Sequence, residues 1–110
     1  MQLSNLLRPE RVKNYQKTKL EEAVFKLYEQ ELQIQVYDLD RTKDITLPLR
    51  PDALDGISYP GAEDVLTKAY EAGVDLESIV IDVYNQLRDL GWEHAHWSEN
   101  GDTATINLEV

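Results

Sequence analysis

Apolar residues early in the chain fall three or four positions apart, at Val12, Tyr15, Leu20, Ala23, Val24, Leu27 and Tyr28. That spacing predicts a helix over about residues 10–29, with Pro9 in its first turn. Thr18 and Glu21 have capping-box spacing, so a start or a kink at Thr18 also fits. The period then drops to two. In "ELQIQVYDL", Leu32, Ile34 and Val36 alternate with Gln33, Gln35 and Tyr37, which predicts a half-buried strand. A polar turn at Asp40–Lys43 leads into "DITLPL", rich in β formers as far as Pro48, so the two runs predict a hairpin. Pro48, Pro51, Asp55-Gly56 and Pro60-Gly61 mark a loop over roughly 48–61. Loops of that length often carry function, and Ile57 and Tyr59 lie inside this one.

"AEDVLTKAYEAG" has acids in its first turn and Gly73 where a helix stops, which predicts a short helix over about 62–72. Asp75 is placed to cap the next helix, where Leu76, Ile79, Val80, Val83, Leu87 and Leu90 share one face and Gly91 ends the run. In "WEHAHWSENGDTATINLEV", Asn100-Gly101 suits a tight primed turn, and Ala104, Ile106, Leu108 and Val110 alternate with polar residues. The expected order is α-β-β-α-α-β-β. This is an α+β domain with a four-stranded, mostly antiparallel sheet and helices packed on one face.

The length of 110 residues suits one domain able to bury a core, and residues 1–110 show no repeat or linker that would divide it. With no cysteine, disulfides, thiolate nucleophiles and thiolate metal sites are excluded. No apolar run reaches membrane-spanning length and no signal-peptide core is visible, so the expectation is a cytoplasmic protein with no membrane contact. The net charge of −10 is unevenly placed. Residues 1–50 carry nine Lys or Arg against eight acids, whereas residues 51–110 carry Lys68 and Arg88 against thirteen. The second half would repel nucleic-acid phosphates and steer a basic partner toward it. Arg8, Arg11, Lys13, Lys17 and Lys19, against Glu10, form the one counter-patch.

Asp38-x-Asp40-x-Thr42, after an apolar run, resembles the first motif of the haloacid-dehalogenase phosphotransferases, in which one aspartate attacks phosphorus and the other handles a proton. That resemblance implies a parallel doubly wound sheet, which the expected element order does not build. As a calcium loop the stretch has Lys43 in place of the turn glycine and Leu49 in place of the bidentate glutamate. Residues 69–91 loosely resemble a helix-turn-helix. The second helix offers Asp75, Glu77, Asp82 and Asp89, however, so direct nucleic-acid binding is not expected. His94 and His96 in "WEHAHW" would share a strand face at a spacing suited to a zinc-like ion, with a third ligand still to be found. The serines at 4, 58, 78 and 98 sit in no nucleophile elbow, and no Gly-rich phosphate loop occurs.

The leading expectation is a non-enzymatic interaction or regulatory protein that binds a basic protein surface and needs no cofactor. Its partner-binding candidates are the aromatics Tyr59, Trp92 and Trp97 and the acids Asp75, Glu77, Asp82 and Asp89. Nucleic-acid mimicry is a special case. Self-association through a strand edge or the basic first helix is a second partner option. The alternative is a metal-binding protein or metal-dependent hydrolase using the pair His94 and His96.

Overall fold

The computed structural model describes residues 7–54, 57 and 59–108. Helix α1 runs Pro9–Gln33, with Pro9 opening it and Arg8 at its N-cap, and it passes Thr18 without a break. It then continues as a π-helical turn over Ile34–Asp38, where the Leu39 amide donates to the Ile34 carbonyl. Strand β1 (Ile45–Pro48), helix α2 (Ala62–Glu71), helix α3 (Leu76–Asp89), strand β2 (His96–Asn100) and strand β3 (Thr103–Asn107) follow. The protein is thus α+β with a three-stranded antiparallel sheet, in the order β1-β3-β2.

The stretch expected as a first strand is helical, so the first hairpin and the fourth strand do not form; β1 instead pairs with β3. The physical reason lies in two polar side chains. Val24, Leu27, Tyr28, Glu31, Leu32 and Gln35 are all buried, and together they keep helical spacing. Glu31 and Gln35 belong to the inside, so treating Gln35 as solvent-facing created the alternation. Gln35 then does for β1 what a neighbouring strand would have done. Its Nε2 donates to the Thr46 carbonyl at 3.0 Å, and its Oε1 accepts from the Thr46 amide at 3.3 Å. One side chain closes the outer edge of β1.

In the sheet, Ile45 faces Ile106 and Leu47 faces Ala104, and all four are fully buried. The opposite sheet face carries Thr46, Thr103, Thr105, Asn107, Ser98 and His96. One apolar face is therefore turned to the helices, where Val24, Leu27, Leu66, Ala69, Ile79 and Val80 complete the core. Helix α1 runs beside β1, α3 lies over β3, and α2 packs on α1. The Tyr28 hydroxyl, deep in this core, donates to the Pro48 carbonyl at 2.6 Å, and burial pushes its pKa far up.

Other expected signals hold with small shifts. Gly73 follows α2 with a left-handed φ of 76°. The β2–β3 turn centres on Gly101-Asp102, one residue later than Asn100-Gly101, because Asn100 is still paired with Thr103. Leu108 is buried beyond the end of β3, where its amide reaches the Thr42 carbonyl, and Val110 lies outside the described residues. Among the described residues, no helix is long and apolar enough to cross a membrane.

Candidate interaction surface

Helix α3 supplies the acids. Asp75 caps it as expected, its carboxylate accepting from the Ser78 amide at 3.2 Å and the Ser78 hydroxyl at 2.8 Å. Those two bonds hold the Asp75 pKa below the usual carboxylate range. Asp75, Asp82 and Asp89 are seven residues apart, close to two helical turns, so they form one line along the exposed side of α3. Asp82 also accepts from Gln86 at 3.3 Å. Glu77 lies on another flank, where the Glu99 carboxylate of β2 approaches it and raises its pKa, with Asp75 adding to the effect. The structure therefore brings three of the four expected acids into line and leaves Glu77 with β2.

Beside that line runs an apolar trough between α1 and α3. One cleft of about 260 Å³ has Phe25, Leu32 and Val36 on one wall and Val83, Leu87 and Leu90 on the other, with Trp92 contributing. A second, of about 360 Å³, continues it through the shared Phe25 and Gln86 to Glu21, Glu22, Ile79 and Asp82. Glu29 adds a further carboxylate, and among the described residues lining either cleft there is no Lys or Arg. Leu90, expected on the buried face of α3, is 79% exposed at the trough, and Tyr37 from the π-helical turn is 80% exposed. Exposed apolar groups clustered in this way mark a contact surface more often than they occur by chance.

The three expected aromatics are half-buried and dispersed. Trp92 alone lines the trough. Trp97 sits opposite Ile106 and packs on the core from the sheet's inner face. Tyr59 leans on the core at the far side, its amide donating to the buried Glu31 Oε2 at 2.9 Å, so Glu31 ties the backbone at Tyr59 to α1. The Tyr59-Pro60 bond is trans.

The histidines are separated by the start of β2. His96 is its first residue, pointing to the polar sheet face opposite Asn107, while His94 lies in the preceding turn. The common strand face expected for them is therefore absent. No cluster of three or more His, Asp or Glu placed to hold a metal occurs among the described residues. The Asp38-x-Asp40-x-Thr42 stretch is the exit from α1, with Asp40 at a left-handed φ of 53°, and follows no parallel strand.

Sequence reasoning missed Phe25, Leu90 and Tyr37 as surface groups and the Glu31–Gln35 pair as interior ones. The four-residue separation of Glu31 and Gln35, in register with Leu27 and Tyr28, was the available signal. Comparison of the chain with protein families, curated proteins and solved structures finds no match.

Proposed function

We propose that this protein is a non-enzymatic interaction module that binds a basic, helical protein segment along α3. The observation that carries the reading is the α1–α3 trough, with its apolar walls, its carboxylates and, among the described residues that line it, no Lys or Arg. An apolar floor supplies affinity to an amphipathic helix, while the charged rim selects its sign and speeds encounter. Asp75, Asp82 and Asp89 recur about every 10.5 Å along the helix, far sparser than duplex phosphates at about 1.7 Å. That spacing favours a helical protein partner over nucleic-acid mimicry.

Fluorescence anisotropy with a labelled Lys-rich amphipathic peptide tests the reading. Wild type should bind, and raising salt to about 0.5 M should weaken the complex. Reversing both Asp82→Lys and Asp89→Lys should weaken it about tenfold or more, since each pair contributes about 0.2–1 kcal/mol and its reversal adds repulsion. Equal affinity of the reversed variant at low salt would refute the electrostatic part. Absence of wild-type binding would refute the whole.

A further inference from the structure

The first eleven residues of α1 are little covered among the described residues. Several between Lys13 and Lys19 border a cleft with Lys68 and Ala72 at the end of α2, and Lys17 is near enough to Asp75 to help lower its pKa. From Pro9 to Lys19 every residue is exposed except the half-buried Val12, and the long dimension of the molecule reaches 60 Å against 29 and 24 Å. Helices gain most of their stability by packing a face, so an arm of about 16 Å in water wants a cover. Tyr15, 64% exposed, carries the Lys19 ammonium 5.5 Å above its ring and borders the same cleft, outside the core cluster.

The arm and the trough lie on one continuous stripe. Arg8, Arg11, Tyr15, Thr18, Glu22, Phe25, Glu29, Leu32 and Val36 follow alternating three- and four-residue steps, the spacing of a coiled-coil seam. Apart from Leu32, which is itself buried and belongs to both, this stripe is distinct from the core-facing Val24, Leu27, Tyr28, Glu31 and Gln35. Its N-terminal part is basic and its C-terminal part is acidic and apolar. Such a polarity is self-complementary only when two copies run antiparallel.

We propose that the chain forms a two-fold dimer in which the α1 arm of each copy lies in the α1–α3 trough of the other. With the axis near Leu20, Tyr15 meets Phe25 of the second copy, Arg11 meets Glu29 and Thr18 meets Glu22. Two antiparallel seams in this register bring alternate positions together as knobs against holes. The overlap spans residues 8–32, about 37 Å of helix. The seam's two cations, Arg8 and Arg11, face the end of the trough that carries Glu22 and Glu29. Each contact occurs twice and the assembly closes on itself. The inference rests on the trough being an interaction surface and names a second copy as the helix that fills it.

Light scattering and native mass spectrometry of the full chain, across a concentration series, test it. Wild type should be a dimer. Arg11→Glu and Glu29→Arg, each at an exposed position and therefore compatible with the fold, should each raise the dimer Kd about a hundredfold, because two pairs turn repulsive at once. The double variant R11E/E29R, which restores both pairs with the charges exchanged, should dimerise again. A wild type that stays monomeric at about 100 µM overturns the proposal, as that concentration would populate even a weak specific dimer. So does a dimer indifferent to both single reversals, which would point to the open edge of β2 instead. If wild type is monomeric yet loses the basic peptide on reversal of Asp82 and Asp89, the dimer falls while the interaction reading stands. Failure of both measurements removes both.

Discussion

Replacing Gln35 with leucine, a residue of similar size, isolates the side chain that converts the end of α1 into a strand substitute. The substitution deletes three hydrogen bonds: Nε2 to Glu31 Oε1 at 2.7 Å, Nε2 to the Thr46 carbonyl at 3.0 Å, and the Thr46 amide to Oε1 at 3.3 Å. The Thr46 groups are partly buried at an edge with no strand on that side, so each costs about 1 kcal/mol. Taking a donor from the fully buried Glu31 carboxyl costs about 1.5–3 kcal/mol. Leucine returns about 1 kcal/mol in apolar burial, which leaves a net loss of about 3 kcal/mol. A domain of this size would have its Tm lowered by about 12 °C.

Urea denaturation and thermal melts of wild type, Gln35→Leu, Glu31→Leu and the double variant make the assay. Because the two side chains are bonded to one another, the double variant should cost at least about 1 kcal/mol less than the sum of the singles. A Gln35→Leu variant within about 1 kcal/mol of wild type would refute the reasoning, as would strict additivity. Either result would mean that the edge of β1 is satisfied by water and that the buried amide is incidental.

Asp75→Ala should destabilise the protein by about 1 kcal/mol at neutral pH through loss of the α3 cap. Since the folded pKa of Asp75 lies below its unfolded value, near 3.9, the cap's contribution is present above that pH and is lost as pH falls through the folded pKa. Urea melts at pH 7 and in strong acid should therefore show the wild-type advantage shrinking. Glu77 behaves oppositely. The Glu99 carboxylate raises its pKa, so the ionised form disfavours folding, and Glu77→Gln should melt above wild type at neutral pH but not below the carboxylate range. Added salt should narrow that gap. Leu66→Ala, at a position with no solvent exposure, should cost about 2–5 kcal/mol by leaving a cavity, read from the denaturant midpoint at unchanged slope.

What could be read from the sequence depended on whether a signal was local. Pro9, Gly73, Asp75 and Gly91 bound helices because a missing amide, a left-handed φ or a side-chain acceptor acts within one turn. The β2–β3 hairpin was legible for the same reason. The end of α1 was not, because its conformation follows from what Gln35 and Glu31 meet in space: the edge of β1, eleven residues from Gln35, and the Tyr59 amide, twenty-eight from Glu31. The alternation of polar and apolar residues is a guide only when polar means outside.

The same dependence on distant partners governs the candidate surface. The line of Asp75, Asp82 and Asp89 was implicit in heptad spacing, but its neighbour was hidden while residues 31–39 were read as a strand. Once that segment continues α1, Phe25, Leu32 and Val36 fall on one stripe opposite Val83, Leu87 and Leu90, and a trough exists. The buried Glu31–Gln35 pair is thus what makes the outer stripe helical to its end. An α1 that stopped at residue 29 would lack the trough's upper wall and the last two positions of the seam. The buried face of residues 29–36 holds the fold together, and their outer face forms one wall of the trough.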